Sequence, residues 1–264
     1  AKKFQGIGNF YLDNYDSFRA ELYYESALNI FREIEGTEWR RFDILNQFLI
    51  MSIDFKKYEL AEQYFEEALA LSRESEEAID NYYFSLLYQN AGIAHFELGE
   101  LDEAMKKSQV GLSLIDVSEY PILYSNALEK IAAINGEKEQ FPEAIAGLIE
   151  VIEIRKAHLS NAESYQYLAY AYENLFEIYK KQGDCEKAGE YLRKAIETLM
   201  ISGVYDEDGI PVVSRSLAIS DFDLVRLLSL KAQHYADGFE DTQNLATLEK
   251  SLSMYAKIDT LINK

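Results

Sequence analysis

Apolar residues along this chain recur with a helical period. Phe4, Ile7, Gly8 and Tyr11 stand three and four places apart, and Ala20, Tyr24 and Ala27 repeat that spacing after a short polar break. Intervals of three and four predict an amphipathic helix, so residues 1–34 predict two helices joined by a turn. The pattern then returns. Leu45, Phe48 and Leu49 precede Tyr58, Ala61, Phe65, Ala68 and Leu69. Tyr88, Ala91, Gly92 and His95 precede Leu98-Gly99-Glu100 and then Leu101, Ala104 and Gly111. Leu128, Ile131 and Ala132 precede Phe141, Ala144, Leu148 and Val151. Tyr172, Leu175, Phe176 and Tyr179 precede Gln182-Gly183-Asp184 and then Ala188, Leu192 and Ala195.

Ala20, Ala61, Ala104, Ala144 and Ala188 are successively 41, 43, 40 and 44 residues apart. A small residue in one slot of every unit lets two helix backbones approach, and large neighbours fill the gaps around it. Gly99 and Gly183 suit turns that need positive φ. This order of large, small and aromatic positions resembles the tetratricopeptide repeat (TPR), with a period longer than the usual one of about 34 residues. The resemblance implies an all-α, right-handed superhelix of about six hairpins, an α-solenoid whose first helices line a concave groove. Residues 1–201 are expected to hold five repeats and 202–216 a loop insertion with turn residues from Asp206 to Pro211. Residues 217–264 are expected to form a divergent sixth hairpin, with helices over Leu217–Ala236 and Leu245–Ile262, for twelve helices in all.

The segments Leu228–Tyr235, Asn244–Tyr255 and Ile258–Ile262 resemble the closing hairpin of bacterial TPR proteins that carry a C-terminal CHAT domain, a caspase-like protease module. That resemblance implies that this chain is the regulatory part of a longer protein and that the protease follows it.

Composition narrows the choice of partner. Forty-six acidic residues against 26 basic ones give a formal charge of −20. That balance argues against nucleic acid, whose binding needs a basic face, and against an anionic membrane surface. Three prolines and 13 glycines are few for a β-rich chain. Cys185 is the only cysteine, which leaves no internal disulfide and fits a reducing, cytoplasmic location. No apolar run approaches the ~18 residues of a membrane span.

Candidate chemistry is sparse, and no enzyme activity, metal or cofactor is expected. Cys185 opens a second helix and reads as a small core residue. His95 takes the slot of Tyr11 and Tyr179, and His158 and His234 fall in other hairpins without metal-ligand spacing. Asp206-Glu207-Asp208-Gly209 begins like a calcium loop but meets Leu217 where a bidentate glutamate belongs. Gly6-Ile7-Gly8 lacks the lysine of a phosphate loop.

The groove-facing positions are the more informative ones. Offset from the core by one or two places, they include Gln5, Asn9, Asn46, Gln89, Asn90, Asn126, Lys130, Tyr170 and Asn174. Amides donate and accept at once, so a row of them can grip the backbone of an extended peptide. Lys130 stands nearly alone, which disfavours an acidic C-terminal tail. The expected partner is a protein or extended peptide, neutral or basic. A peptide-sensing regulator and a stand-alone adaptor are the alternatives.

Overall fold

A computed structural model describes residues 1–14, 16–74, 79–199, 226, 229, 230, 233, 250, 252 and 253. Among the described residues it is all-helical, with α1 (Lys2–Asp13), α2 (Ser17–Arg32), α3 (Glu38–Asp54), α4 (Tyr58–Glu74) and α5 (Asn81–Glu97). α6 (Leu101–Ser113), α7 (Pro121–Glu137), α8 (Phe141–Ala157), α9 (Ala162–Lys181) and α10 (Cys185–Leu199) follow. These are the first and second helices of the five expected repeats. The loop at 202–216, the hairpin at 217–264 and the stretch resembling CHAT-linked proteins lie outside the described residues, as does the Asp206–Gly209 turn, apart from isolated helical positions from Arg226 onward.

The chain divides into two compact units, Ala1–Ile134 and Asn135–Lys264, with the boundary inside α7. In the first unit α1–α2, α3–α4 and α5–α6 are hairpins; in the second α9–α10 is one, and α8 packs on α9. Ala20, Ala61 and Ala104 in the first unit and Ala144 and Ala188 in the second are all fully or almost fully buried, as the small-residue slot requires. Glycine tightens two first-unit crossings further. A β-carbon on Gly8 would lie 2.7 Å from the Tyr24 ring, and one on Gly92 would lie 2.6 Å from Ser108 Oγ.

Stacking of one repeat on the next uses large side chains from each second helix. Tyr24 of α2 meets Phe48 of α3 edge-on with centroids 6.0 Å apart, and Phe65 of α4 meets Tyr88 of α5 at 5.2 Å. The positions corresponding to Phe48 and Leu45 in the first repeat are Ile7 and Phe4. These remain 37% and 38% exposed because, among the described residues, α1 packs chiefly on α2. The core assignment of this pair is therefore corrected. Cys185 also departs from expectation: it is exposed at the first position of α10. Tyr58, Leu101 and Phe141, which hold the same slot, are half-buried, because their longer side chains reach neighbours that a thiol does not.

The hairpin turns share one design. Residues 56, 99, 139 and 183 each have φ between 56° and 77°. The next amide in each turn bonds the carbonyl five residues back: Lys57 to Ser52, Glu100 to His95, Gln140 to Asn135 and Asp184 to Tyr179, at 2.7–2.9 Å. This left-handed cap closes the first helix and reverses the chain in three residues. Glycine occupies two of the four turns, while Lys56 and Glu139 hold the same conformation with a β-carbon. No helix among the described residues is long and apolar enough to cross a membrane.

These caps predict opposite effects for opposite substitutions. Glu139→Gly should raise stability by about 0.5–1 kcal/mol, and Gly99→Ala should lower it by about 1 kcal/mol, because only glycine adopts positive φ without steric cost. Urea denaturation of the two variants checks both signs.

Candidate binding surface

One polar row runs along the first helices. The residue after the fourth-position apolar anchor is Gln5, Asn46, Gln89, Glu129 and Glu173 in successive repeats. Gln5, Asn46, Gln89 and Glu173 are buried. Their polar atoms are spent inside the protein. Gln5 Nε2 donates to Asp43 Oδ2 at 2.7 Å, bridging α1 and α3. Asn90 Nδ2 donates to Asn46 Oδ1 at 3.1 Å, bridging α3 and α5. In the second unit Arg226 grips Glu173 with both guanidinium amines, the Nη2–Oε2 bond being 2.7 Å. Gln89 turns towards the second helix of its own hairpin: its Nε2 donates to Ser85 Oγ at 2.9 Å, and Ser85 Oγ donates to the Gly111 carbonyl at 2.8 Å.

Asn46 is thus held in an interhelical bond, and Gln89 in a bond within α5 to Ser85, which in turn bonds α6. Periodicity showed their offset from the core, but it could not distinguish a residue facing the next helix from one facing solvent. Asn9 is exposed, and its Oδ1 accepts the Tyr24 hydroxyl at 2.9 Å. Asn90, Asn126 and Lys130 in the first unit are half-buried, as are Tyr170 and Asn174 in the second. The Tyr170 hydroxyl accepts from Gln166 Nε2 at 3.0 Å, and the Arg226 guanidinium lies 5.9 Å from its ring centre.

A pocket of about 140 Å³ opens among α5, α6 and α7 within the first unit. Ile93, Phe96, Ala133 and Ile134 give it apolar walls, and Lys130 also lines it. Gly92 and Ser108, both buried, complete the lining. Sequence periodicity singled out Lys130 as a groove-facing position but gave no sign of the space beside it.

His95 does occupy the tyrosine slot, with different partners. Tyr11 and Tyr179 stack on Tyr23 and Tyr191, with ring centroids 5.5 and 5.4 Å apart. His95 Nδ1 lies 2.6 Å from Glu100 Oε2, and its Nε2 lies 3.3 Å from Glu62 Oε2. Lys107 bonds Glu62 at 2.8 Å and sits 3.7 Å from the Phe65 ring centre. His158 Nδ1 lies 2.8 Å from the Ile154 carbonyl. Among the described residues no group of three His, Cys, Asp or Glu side chains is placed to hold a metal ion.

The fold is that of TPR-like helical-repeat proteins. The structure is similar to the apo form of RapI, with a TM-score of 0.63 and 16% identity over 99% of this chain and 98% of that one. It is also similar to a Rap protein complexed with Competence and Sporulation Factor, with a TM-score of 0.57 and 12% identity over 92% of this chain and 64% of that one. A Podospora anserina putative kinesin light chain with TPR-like repeats matches with a TM-score of 0.54 and 17% identity, over 85% of this chain and 98% of that one. No protein-family model matches the chain, and no curated protein matches it.

The polar row carries a pH signature. Burial raises the pKa of Asp43 above its ordinary value, while the Gln5 hydrogen bond and the nearby Arg40 charge oppose that rise. A folded-state pKa above the unfolded one means that the ionised carboxylate opposes folding, and that this penalty disappears as pH falls through the folded pKa. Asp43→Asn keeps an acceptor for Gln5 and should therefore stabilise the protein at pH 7. The gain should shrink as pH drops towards the ordinary carboxylate range, which paired urea titrations at pH 7 and about 4.5 check.

Proposed function

We propose that this chain is a protein-interaction scaffold that holds a neutral or basic peptide or protein on the outward residues of its first helices. The observation that carries the reading is the presence on α5 and α7 of half-buried polar groups, Asn90, Asn126 and Lys130, the last of which lines an apolar pocket. Polar groups that bond main chain and a cavity that takes a side chain are the two elements of extended-peptide recognition. Asn9 extends this surface on the first repeat, and Tyr170 and Asn174 provide the equivalent positions in the second unit. The formal charge of −20 favours a partner without excess negative charge. The likeness of the last residues to CHAT-linked proteins supports a finer reading, in which the scaffold regulates a protease module in a longer bacterial protein.

A second reading has its own support. A Rap protein complexed with Competence and Sporulation Factor shares the fold over most of this chain, which favours a sensor that changes its affinity for a second protein when a peptide binds. The two readings part on one point. A scaffold holds its partner independently of other ligands, whereas a sensor's two ligands must alter each other's affinity by the same factor.

Selection from a random peptide library displayed on phage tests the reading. Enriched sequences should be neutral or basic. Asn126→Ala should weaken them about two- to ten-fold, the worth of one hydrogen bond, while Lys106→Ala on the exposed face of α6 should leave binding unchanged. Failure to enrich any sequence, or enrichment of acidic ones, would contradict it.

A further inference from the structure

The pocket in the first unit lies where one repeat lacks a side chain that the others have. Four residues after the crossing alanine, the second helices carry Tyr24, Phe65, Ser108, Leu148 and Leu192. Every repeat except the third fills this slot with a large apolar or aromatic group. The first and third repeats share a glycine opposite the slot, Gly8 and Gly92. In the first repeat the space above that glycine is taken by the Tyr24 ring. In the third, the only side-chain atom among the three nearest is Ser108 Oγ, the other two being α6 backbone atoms, and a cavity of about 140 Å³ is lined by both Gly92 and Ser108. An apolar cavity of about 150 Å³ is large enough for a benzene ring.

Ser108 itself behaves unlike the other helical hydroxyls. Ser26, Ser52 and Thr198 each donate to the carbonyl four residues back, at 2.7–2.9 Å. Ser108 is fully buried, and its Oγ makes no hydrogen bond. A buried hydroxyl without a partner is costly, and cavity walls without neighbours forgo dispersion contacts. Both deficits are met by one kind of ligand, a ring-sized apolar group bearing a single polar atom. Asn9, which takes the Tyr24 hydroxyl in the first repeat, is replaced in the third by Ile93, an apolar residue that lines the cavity.

The geometry points to a phenol-binding pocket at Gly92, Ile93, Ser108 and Ile134, taking either a tyrosine side chain of a bound peptide or a free phenolic compound. The peptide source rests on the scaffold reading above; the pocket does not.

Isoleucine-methyl NMR of the full chain tests it with p-cresol, toluene and the capped peptide Ala-Ala-Tyr-Ala-Ala as probes. p-Cresol should shift the Ile93 and Ile134 methyls saturably. Toluene, which matches its shape without the hydroxyl, should bind about five-fold more weakly. Ser108→Ala should equalise the two and leave the melting temperature unchanged or higher. Ser108→Phe, which refills the slot as Phe65 does, should abolish both. If Ser108→Phe does not fold, the Ser108→Ala comparison still decides.

Binding of the peptide more tightly than p-cresol makes a peptide residue the occupant, whereas binding of p-cresol alone makes it a free phenol; both outcomes support the pocket. Absence of saturable shifts with every probe overturns it, as does an unchanged p-cresol to toluene ratio in Ser108→Ala. The phenol probes read the pocket, whereas the library reads the polar groups of the first helices through Asn126→Ala, so failure of one reading is distinguishable from failure of the other.

Discussion

Each repeat depends on one close approach. Ala20, Ala61, Ala104, Ala144 and Ala188 are buried because the two helices of a hairpin cross at that point, and a larger side chain would hold them apart. Overpacking such a contact costs about 1–3 kcal/mol through displaced neighbours. The crossing also sets what the rest of the hairpin can be. With the backbones close, a three-residue turn suffices, and the left-handed residue at 56, 99, 139 or 183 follows from the short span. The large residues around the crossing then face the next repeat, as Tyr24 faces Phe48 and Phe65 faces Tyr88.

Polar residues add direction to an otherwise apolar stack. Hydrogen bonds from Gln5 to Asp43 and from Asn90 to Asn46 link first helices of successive repeats. Each contributes about 1 kcal/mol net, but an unmatched buried amide costs more than that, so a slipped register is penalised. The same bonds withdraw Asn46 from the outer surface, while the Ser85 bond withdraws Gln89. In the proposed scaffold the partner is held by less buried residues of the same helices, chiefly Asn9, Asn90, Asn126 and Lys130 in the first unit.

The fold was legible in the sequence because a crossing that admits only small residues leaves an unmistakable period. The alanine spacing located the described hairpins, and Gly99 and Gly183 marked two of the four turns. Lys56 and Glu139 hid the other two, since neither residue type advertises positive φ. The surface was half legible. Offset from the core identified polar positions but not their partners, so Asn46 looked the same as Asn126. Cys185 and the pair Phe4 and Ile7 failed for a related reason: membership of a repeat position predicts burial only where the neighbouring element and the side-chain length both supply the cover. In the sequence the pocket beside Ser108 is marked only by the contrast of that serine with Tyr24, Phe65, Leu148 and Leu192 in the same slot.

The proposed scaffold holds its partner on the first helices of the first unit. Photo-crosslinking tests this most directly, with benzoylphenylalanine placed at position 90 on α5 or position 106 on α6 and a library-selected peptide as the target. Crosslinks from position 90 and none from position 106 are the predicted result. Crosslinks from position 106 alone would place the partner on the second helices and contradict the claim.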